Sequence, residues 1–303
     1  MMKKIFIAAD GGGTKLELAA VSPTGEVLCT VRQPGGINPR TSDKETVKKV
    51  IEEAKNRLTE AVGGFDAQFC AGYFMHNTAL FSEIFGCEAR EVDEGTLGLY
   101  AAGIYGDGVL ILSGTGADVF VSKGGKTAGI IGGYGAILGD EGSGFAIGRA
   151  GINAAIASYE GRGEKTALTE YLTKKYPKET FRRSVYGIYE APQTSREVAD
   201  FCKECEQAAD EGDAVALNIF KEAAHALTGF AIAAYKNYGI EKTAPYTFSG
   251  GVITHDIKRG KPLMLPHIRK ELTEAGITNC VLPKGTPLTG AVKWIKRNLI
   301  KTH

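Results

Sequence analysis

The chain of 303 residues is 43% hydrophobic and carries 36 Lys and Arg against 35 Asp and Glu, a formal net charge of +1. That length accommodates two ordinary domains, and that hydrophobic content suits packed cores rather than disorder. With no basic block and no aromatic-basic interleaving, the composition argues against a nucleic-acid partner.

The apolar run that follows Lys3 and Lys4 stops at Asp10, too short for a signal-peptide core, and no later segment approaches a membrane span. A cytoplasmic protein is the expectation. IFIAA (5–9), then DGGGTK, LELAAV, SPTG and EVLCTV, predict three strands joined by turns, the first turn a Gly-rich hairpin. Behind Asp43 as a cap, Val47, Val50, Ile51, Ala54, Leu58 and Ala61 fall at helical spacing, so a helix runs to Val62. A strand around Gln68–Tyr73, a helix near Thr78–Phe85, a short strand ending at Asp93 and a helix from about Gly95 to Tyr105 come next.

GVLILSGTGADVFVSKGGKTAGI then repeats the opening pattern of strand, Gly-rich turn, strand, turn, strand. Laid on each other, Asp10 to Leu18 and Ser113 to Val121 share two glycines and two apolar positions, so the chain reads as internally duplicated. From Ser143 the sequence turns helical, and Asp213–Tyr238 sets Leu217, Phe220, Ala224, Leu227, Ala231 and Tyr235 on one face. Cys202 and Cys205 have metal-like spacing but no second CxxC and no nearby histidine, and read as ordinary helix cysteines. APYTFSGGVITHD (244–256) supplies a further strand leading into a glycine pair. LTGAVKWIKRNLI closes the chain as a basic amphipathic helix that packs back on the first domain rather than on a membrane.

Successive backbone N–H groups at glycine-rich tips form concavities that bind anions. Neither DGGGTK nor SGTGAD fits a strand–turn–helix nucleotide motif, and each alone is explained equally well by a tight hairpin. The two together, with SGG at 249–251, are harder to explain as turns. In GGYGAILGDEGSGFAIG (132–148), glycines surround Asp140 and Glu141 with no lysine or arginine. Read alone, that stretch is a loop entering a helix that Asp140 or Ser143 would cap.

The order DGGGTK, strand-end Asp93, SGTGA, GGYGAILGDEGSG and SGG resembles the sugar kinase/heat-shock ATPase/actin superfamily. Within it, and over nearly the whole chain, it is similar to the N-acetylglucosamine kinase and BadF/BadG/BcrA/BcrD-type ATPase family. The resemblance implies an α/β fold of two ribonuclease H-like (actin-like ATPase) domains related by internal duplication, with an active-site cleft between them. The first would span 1–112, completed by a C-terminal helix 291–303, and the second 113–290. It implies ATP and Mg²⁺ as cofactors, with Asp10 holding the metal through water. Gly11, Gly12, Gly13, Thr14 and Lys15 would form the first phosphate loop, and Ser113, Gly114, Thr115 and Gly116 the second. Gly250 and Gly251 would pass beneath the adenosine, and Gly290 with Ala291 would make the helix contact at an interdomain hinge.

Asp93 would be the catalytic base, orienting a sugar hydroxyl and accepting its proton as the γ-phosphoryl group is transferred. Asn38, Asp93, Asp140 and the backbone around Gly133 and Tyr134 would grip the sugar through directed hydrogen bonds. Related kinases carry a small glycine-containing segment where this chain has Phe74, Met75, His76 and Asn77. His76 is then either a substrate contact or a structural residue, and Glu141 stays unassigned.

The resemblance implies an ATP-dependent hexosamine kinase making the 6-phosphate of N-acetylglucosamine, glucosamine or N-acetylmuramic acid. Its partner would be a small-molecule amino sugar, with no nucleic acid or membrane, and with a homodimer left open. Sugar binding would close the two domains and exclude water. The alternative is an activator ATPase driving electron transfer into a dehydratase or reductase, whose iron–sulfur cluster needs thiolates. Residues 107 to 151 contain no cysteine, which disfavours that cluster. A sugar-responsive repressor would need an N-terminal DNA-binding module, for which a fold beginning at Lys3 leaves no room; an actin-like scaffold is the remaining non-catalytic reading.

Overall fold

Alternation of side chains builds the first sheet. In β1 (Lys3–Gly11), Ile5, Ile7 and Ala9 face one way and Ala8 the other; in β2 (Lys15–Val21), Leu16, Leu18 and Ala20 oppose Ala19 and Val21. Both faces are therefore apolar, and helices cover both. A computed structural model describes residues 2–300. It divides the chain into two compact units, Met1–Gly106 with Gly124–Lys126 and Leu282–His303, and Asp107–Lys123 with Thr127–Val281.

In the first unit, β3 (Val27–Pro34) is antiparallel to β2, and β2 to β1. Helix α1 (Lys44–Val62) follows; Asp43 caps it, accepting from Thr46 N at 2.9 Å and Thr46 Oγ1 at 2.7 Å. Its buried face is Val47, Val50, Ile51, Ala54, Leu58 and Val62. Ala61, expected on that face, is exposed, because the step of four from Leu58 reaches Val62. β4 (Phe65–Tyr73) runs parallel to β1, α2 (Thr78–Phe85) follows, and β5 (Ala89–Glu91) runs parallel to β4. The result is a mixed sheet ordered β3-β2-β1-β4-β5, and α3 (Glu94–Ala102) follows it in the chain.

The second unit opens on β6 (Gly108–Ser113), buried at every residue, then β7 (Ala117–Lys123) and β8 (Lys126–Gly132). A run of helices intervenes: α4 (Gly144–Tyr159), α5 (Leu168–Lys175), α6 (Phe181–Gly187), α7 (Thr194–Asp200), α8 (Cys202–Asp210) and α9 (Ala214–Tyr238). β9 (Tyr246–Ser249) then pairs parallel to β6, completing a second mixed sheet ordered β8-β7-β6-β9. α10 (Gly251–Lys258) and α11 (Leu265–Glu274) follow.

The stripe of α9 differs from the expected one. Ala216, Phe220, Ala223, Ala224, Leu227, Ala231 and Ala234 are buried, whereas Leu217 is 40% exposed and Tyr235 half-buried. Small residues let this helix lie close to β7, and the larger side chains flank the contact. Cys205 lies in the core against Gly151, where a Cβ would overlap its Sγ, and burial pushes its thiol and that of Cys202 up, the latter to about 12. Neutral, packed thiols of this kind are inert.

The chain then returns to the first unit as α12 (Pro287–Asn298), capped reciprocally by Thr286 and Thr289. Ala291, Val292 and Ile295 join Ala8, Ala19 and Leu97 in one cluster, and Gly290 packs so closely on α3 that a Cβ would overlap the Leu97 carbonyl. Of the helix expected over 291–303, residues 301–303 lie outside the described residues. Among the described residues no helix is long and apolar enough to cross a membrane.

Candidate active site

The first unit presents its glycine hairpin at the carboxyl end of the central strand β1. The ladder closes at Gly11 opposite Leu16, leaving Gly12 to Lys15 as the tip. Gly12 N donates to Lys15 O at 2.9 Å, and Ile37 N donates to Gly12 O at 3.0 Å. Gly36 lies against the tip so tightly that a Cβ would overlap the Gly13 carbonyl. The loop is thus fixed from behind, and among the described residues no hydrogen bond takes up the N–H groups of Gly13 and Thr14. Two adjacent, unclaimed donors on a braced turn suit an anion. Lys15 forms an ion pair with Glu17 on the same edge of β2.

Asp10 is half-buried just before this tip and pairs with Glu17 across the ladder. Desolvation pushes its carboxyl up to about 6; Lys15 works against that rise and Glu17 adds to it. Such a carboxylate gains from a cation. Among the described residues no group of three or more His, Cys, Asp or Glu could hold a metal by itself. One carboxylate beside a phosphate-sized tip fits Mg²⁺, which keeps waters and binds through one or two carboxylates plus substrate phosphates.

Asp93 is the N-cap of α3, accepting from Thr96 N at 2.9 Å and from Thr96 Oγ1 at 2.7 Å. The cap fixes its rotamer and leaves the carboxylate half-buried at the end of the strand. Asn38 accepts from Arg40 N through Oδ1 at 2.9 Å, a local turn bond that keeps its amide nitrogen for other acceptors. Asn77 is 9% exposed and donates through Nδ2 to Ile37 O and Phe74 O, both at 2.8 Å, so it braces the segment that carries Asn38. Met75 and His76 both adopt left-handed backbone, at φ 49° and 66°. The His76 N–H donates to Glu91 at 2.9 Å while its ring stays 82% exposed.

In the second unit the tip is Gly114 to Gly116, because the ladder closes at Ser113 opposite Ala117. Ser113 is fully buried and donates to Gly142 O at 2.7 Å, tying this loop to the glycine-rich stretch. Gly144 N donates to Gly114 O at 2.8 Å, so the first turn of α4 holds the loop. No hydrogen bond among the described residues takes up the N–H groups of Thr115 and Gly116.

Gly250 packs behind the same loop with φ 94°, and a Cβ there would overlap the Ser113 carbonyl. Gly250→Ala is expected to cost at least about 2 kcal/mol, combining left-handed strain with a backbone clash. Gly251→Ala, where a Cβ meets nothing within 4 Å, should stay within about 0.5 kcal/mol. Urea unfolding of the pair tests this, and equal costs would refute the close approach.

Ser143, not Asp140, caps α4, accepting from Ala146 N at 3.1 Å. Asp140 is 9% exposed in left-handed backbone at φ 62°, with its carboxylate over Gly116, where a Cβ would sit 3.0 Å from Oδ2. Beside it is Asp118, a residue the motifs did not single out. Burial first, and the Asp140 charge second, push the Asp118 carboxyl up to about 7, and its buried Oδ1 has no hydrogen-bond partner. Asp118 also faces the backbone of Gly133, where a Cβ would sit 3.1 Å from its Oδ2. Tyr134 is 78% exposed and lines a hollow of about 430 Å³ with Leu138, Glu141, Phe230 and Tyr238.

Comparison with known proteins bears on the family and the fold. The model of the BadF/BadG/BcrA/BcrD ATPase family matches residues 9–294. The chain is 30% identical over 270 residues to an N-acetylmuramic acid/N-acetylglucosamine kinase of Clostridium acetobutylicum, covering 83% of this chain and 86% of that protein. It is 27% identical over 276 residues to an N-acetyl-D-glucosamine kinase of Dictyostelium discoideum, covering 84% and 86%. Its fold matches the crystal structure of a candidate N-acetylglucosamine kinase from Chromobacterium violaceum with a TM-score of 0.75 at 19% identity, over 96% of this chain and 98% of that one. A family match over almost the whole chain places this protein in the BadF/BadG/BcrA/BcrD ATPase family.

Proposed function

We propose that this chain is an ATP-dependent amino-sugar kinase that transfers the γ-phosphoryl group to a hexosamine hydroxyl. One observation carries the reading. Each central strand ends in a braced glycine tip with two unclaimed N–H groups, in a chain 30% identical over 83% of its length to an N-acetylmuramic acid/N-acetylglucosamine kinase. Gly11 to Lys15 and Ser113 to Gly116 would cradle the ATP phosphates, and Gly250 with Gly251 would run beneath the adenosine. Asp10 would hold Mg²⁺, which when bound would offset charge on the phosphates.

Asp93 would accept the proton of the attacking hydroxyl. The new bond joins that oxygen to the γ-phosphorus as the bond to the β–γ bridging oxygen breaks, and ADP leaves with the electron pair. Asn38, Asp140 and the backbone at Gly133 and Tyr134 would orient the sugar. The matching layout of the sheets, with β1 parallel to β4 and β6 parallel to β9 after a glycine hairpin, supports descent of the two domains from one duplicated unit.

Within that family, the curated relatives are amino-sugar kinases, which favours the kinase reading over the activator-ATPase one. The test is ADP release with ATP, Mg²⁺ and a panel of hexosamines, with sugar phosphate identified by mass. An amino sugar is expected to accelerate ADP release by more than about tenfold. A panel in which none does so would overturn the kinase reading.

A further inference from the structure

Two carboxylates, Asp118 and Asp140, neighbour each other in the second unit. Asp140 is 9% exposed, and none of the described residues forms a hydrogen bond or an ion pair with its carboxylate. Asp118 Oδ1 is buried without a partner, and the charge that acts on Asp118 is another carboxylate. Ser143 has already taken the capping role that would have explained Asp140. An orphaned buried acceptor such as Asp118 Oδ1 calls for a ligand or another specific explanation, and two carboxylates held side by side suit a cation.

Glycine lets both carboxylates lie against main chain: a Cβ at Gly116 would sit 3.0 Å from Asp140 Oδ2, and one at Gly133 would sit 3.1 Å from Asp118 Oδ2. A neutral acetamide brings one N–H donor and a carbonyl oxygen that two carboxylates would repel. A primary ammonium brings three N–H donors and a positive charge.

We infer that Asp118 and Asp140 form a subsite for the ammonium group of an unacetylated amino sugar, with Asp118 the residue that sets preference for the free amine. This inference rests on the amino-sugar kinase reading and narrows it. Asp140 alone serves any hydroxylated sugar, since a carboxylate accepts hydroxyl donors. The second carboxylate selects charge.

The experiment compares glucosamine with N-acetylglucosamine as acceptors near neutral pH, for the parent and for Asp118→Asn, and titrates both sugars calorimetrically without nucleotide. The parent is expected to favour glucosamine in kcat/KM by about tenfold or more, since charge-assisted hydrogen bonds are the strong ones. Asp118→Asn should erase that preference chiefly through KM for glucosamine, with KM for ATP unchanged, and should weaken glucosamine binding in the calorimeter about tenfold. A parent that phosphorylates N-acetylglucosamine and prefers it overturns the inference and keeps the kinase reading. If no sugar is phosphorylated, the kinase reading fails, and the calorimetric arm still decides. Glucosamine binding that is absent, or that Asp118→Asn leaves intact, overturns the ammonium subsite.

Discussion

Asp93→Asn is expected to lower kcat about 10³-fold while leaving the fold intact. A positioned general base contributes about 10² to 10⁴ in rate. Asn caps a helix as well as Asp, so the bond from Thr96 N that starts α3 survives. The cost of removing one negative charge from a helix N-terminus is about 0.3–1 kcal/mol. Asp93→Ala would lose the same chemistry and the cap as well, about 1 kcal/mol more. The pair separates the role that the structure shows for this carboxylate, holding the helix, from the role proposed for it, accepting the hydroxyl proton. Steady-state kinetics at saturating ATP and sugar, alongside thermal unfolding, reads both. An Asn variant with kcat within about threefold of the parent would leave Asp93 only as a cap.

The cap also explains why Asp93 was legible. A carboxylate between a short strand and a helix is written in local sequence, as is Asp43 before α1, and both hold the positions expected of them. The glycine hairpins were legible because alternation on either side of them left little but a turn between. Asp118 was not. It stands in a strand whose alternation explains it without chemistry, and its partner Asp140 reaches it only through the bond from Ser113 to Gly142 and the docking of α4 on the loop. Asn77 was opaque for the same reason, since its bond to Ile37 spans 40 residues. The shifted stripe of α9 reflects how near a helix of alanines can approach β7, which spacing alone does not encode.

Asp10→Asn is expected to slow phosphoryl transfer about 100-fold, and to make the ligand-free protein more stable at pH 8. The first effect follows from the proposed role of Asp10, an anchor that would act on the metal through water, a position typically worth about 10- to 100-fold. The second follows from linkage. Burial raises the folded-state carboxyl from 3.8 to about 6, so between those values the folded protein binds more protons than the unfolded chain. Stability therefore falls as pH rises through that window, and the penalty is constant above it. A tenfold change in proton affinity is worth about 1.4 kcal/mol; discounted for a site that is only half-buried, relief of about 1–2 kcal/mol is expected above pH 7. That is a few degrees in Tm. Below about pH 3, where both states are mostly protonated, parent and variant should converge. Saturating Mg²⁺ and ATP should reverse the order, stabilising the parent by mass action and the variant less. A variant that melts below the parent at pH 8 without ligand would show that Asp10 is compensated within the fold. A variant stabilised by Mg²⁺ and ATP as fully as the parent would show that the metal is held elsewhere. Only a site that stores an unpaired charge in the empty protein predicts opposite signs in the two measurements.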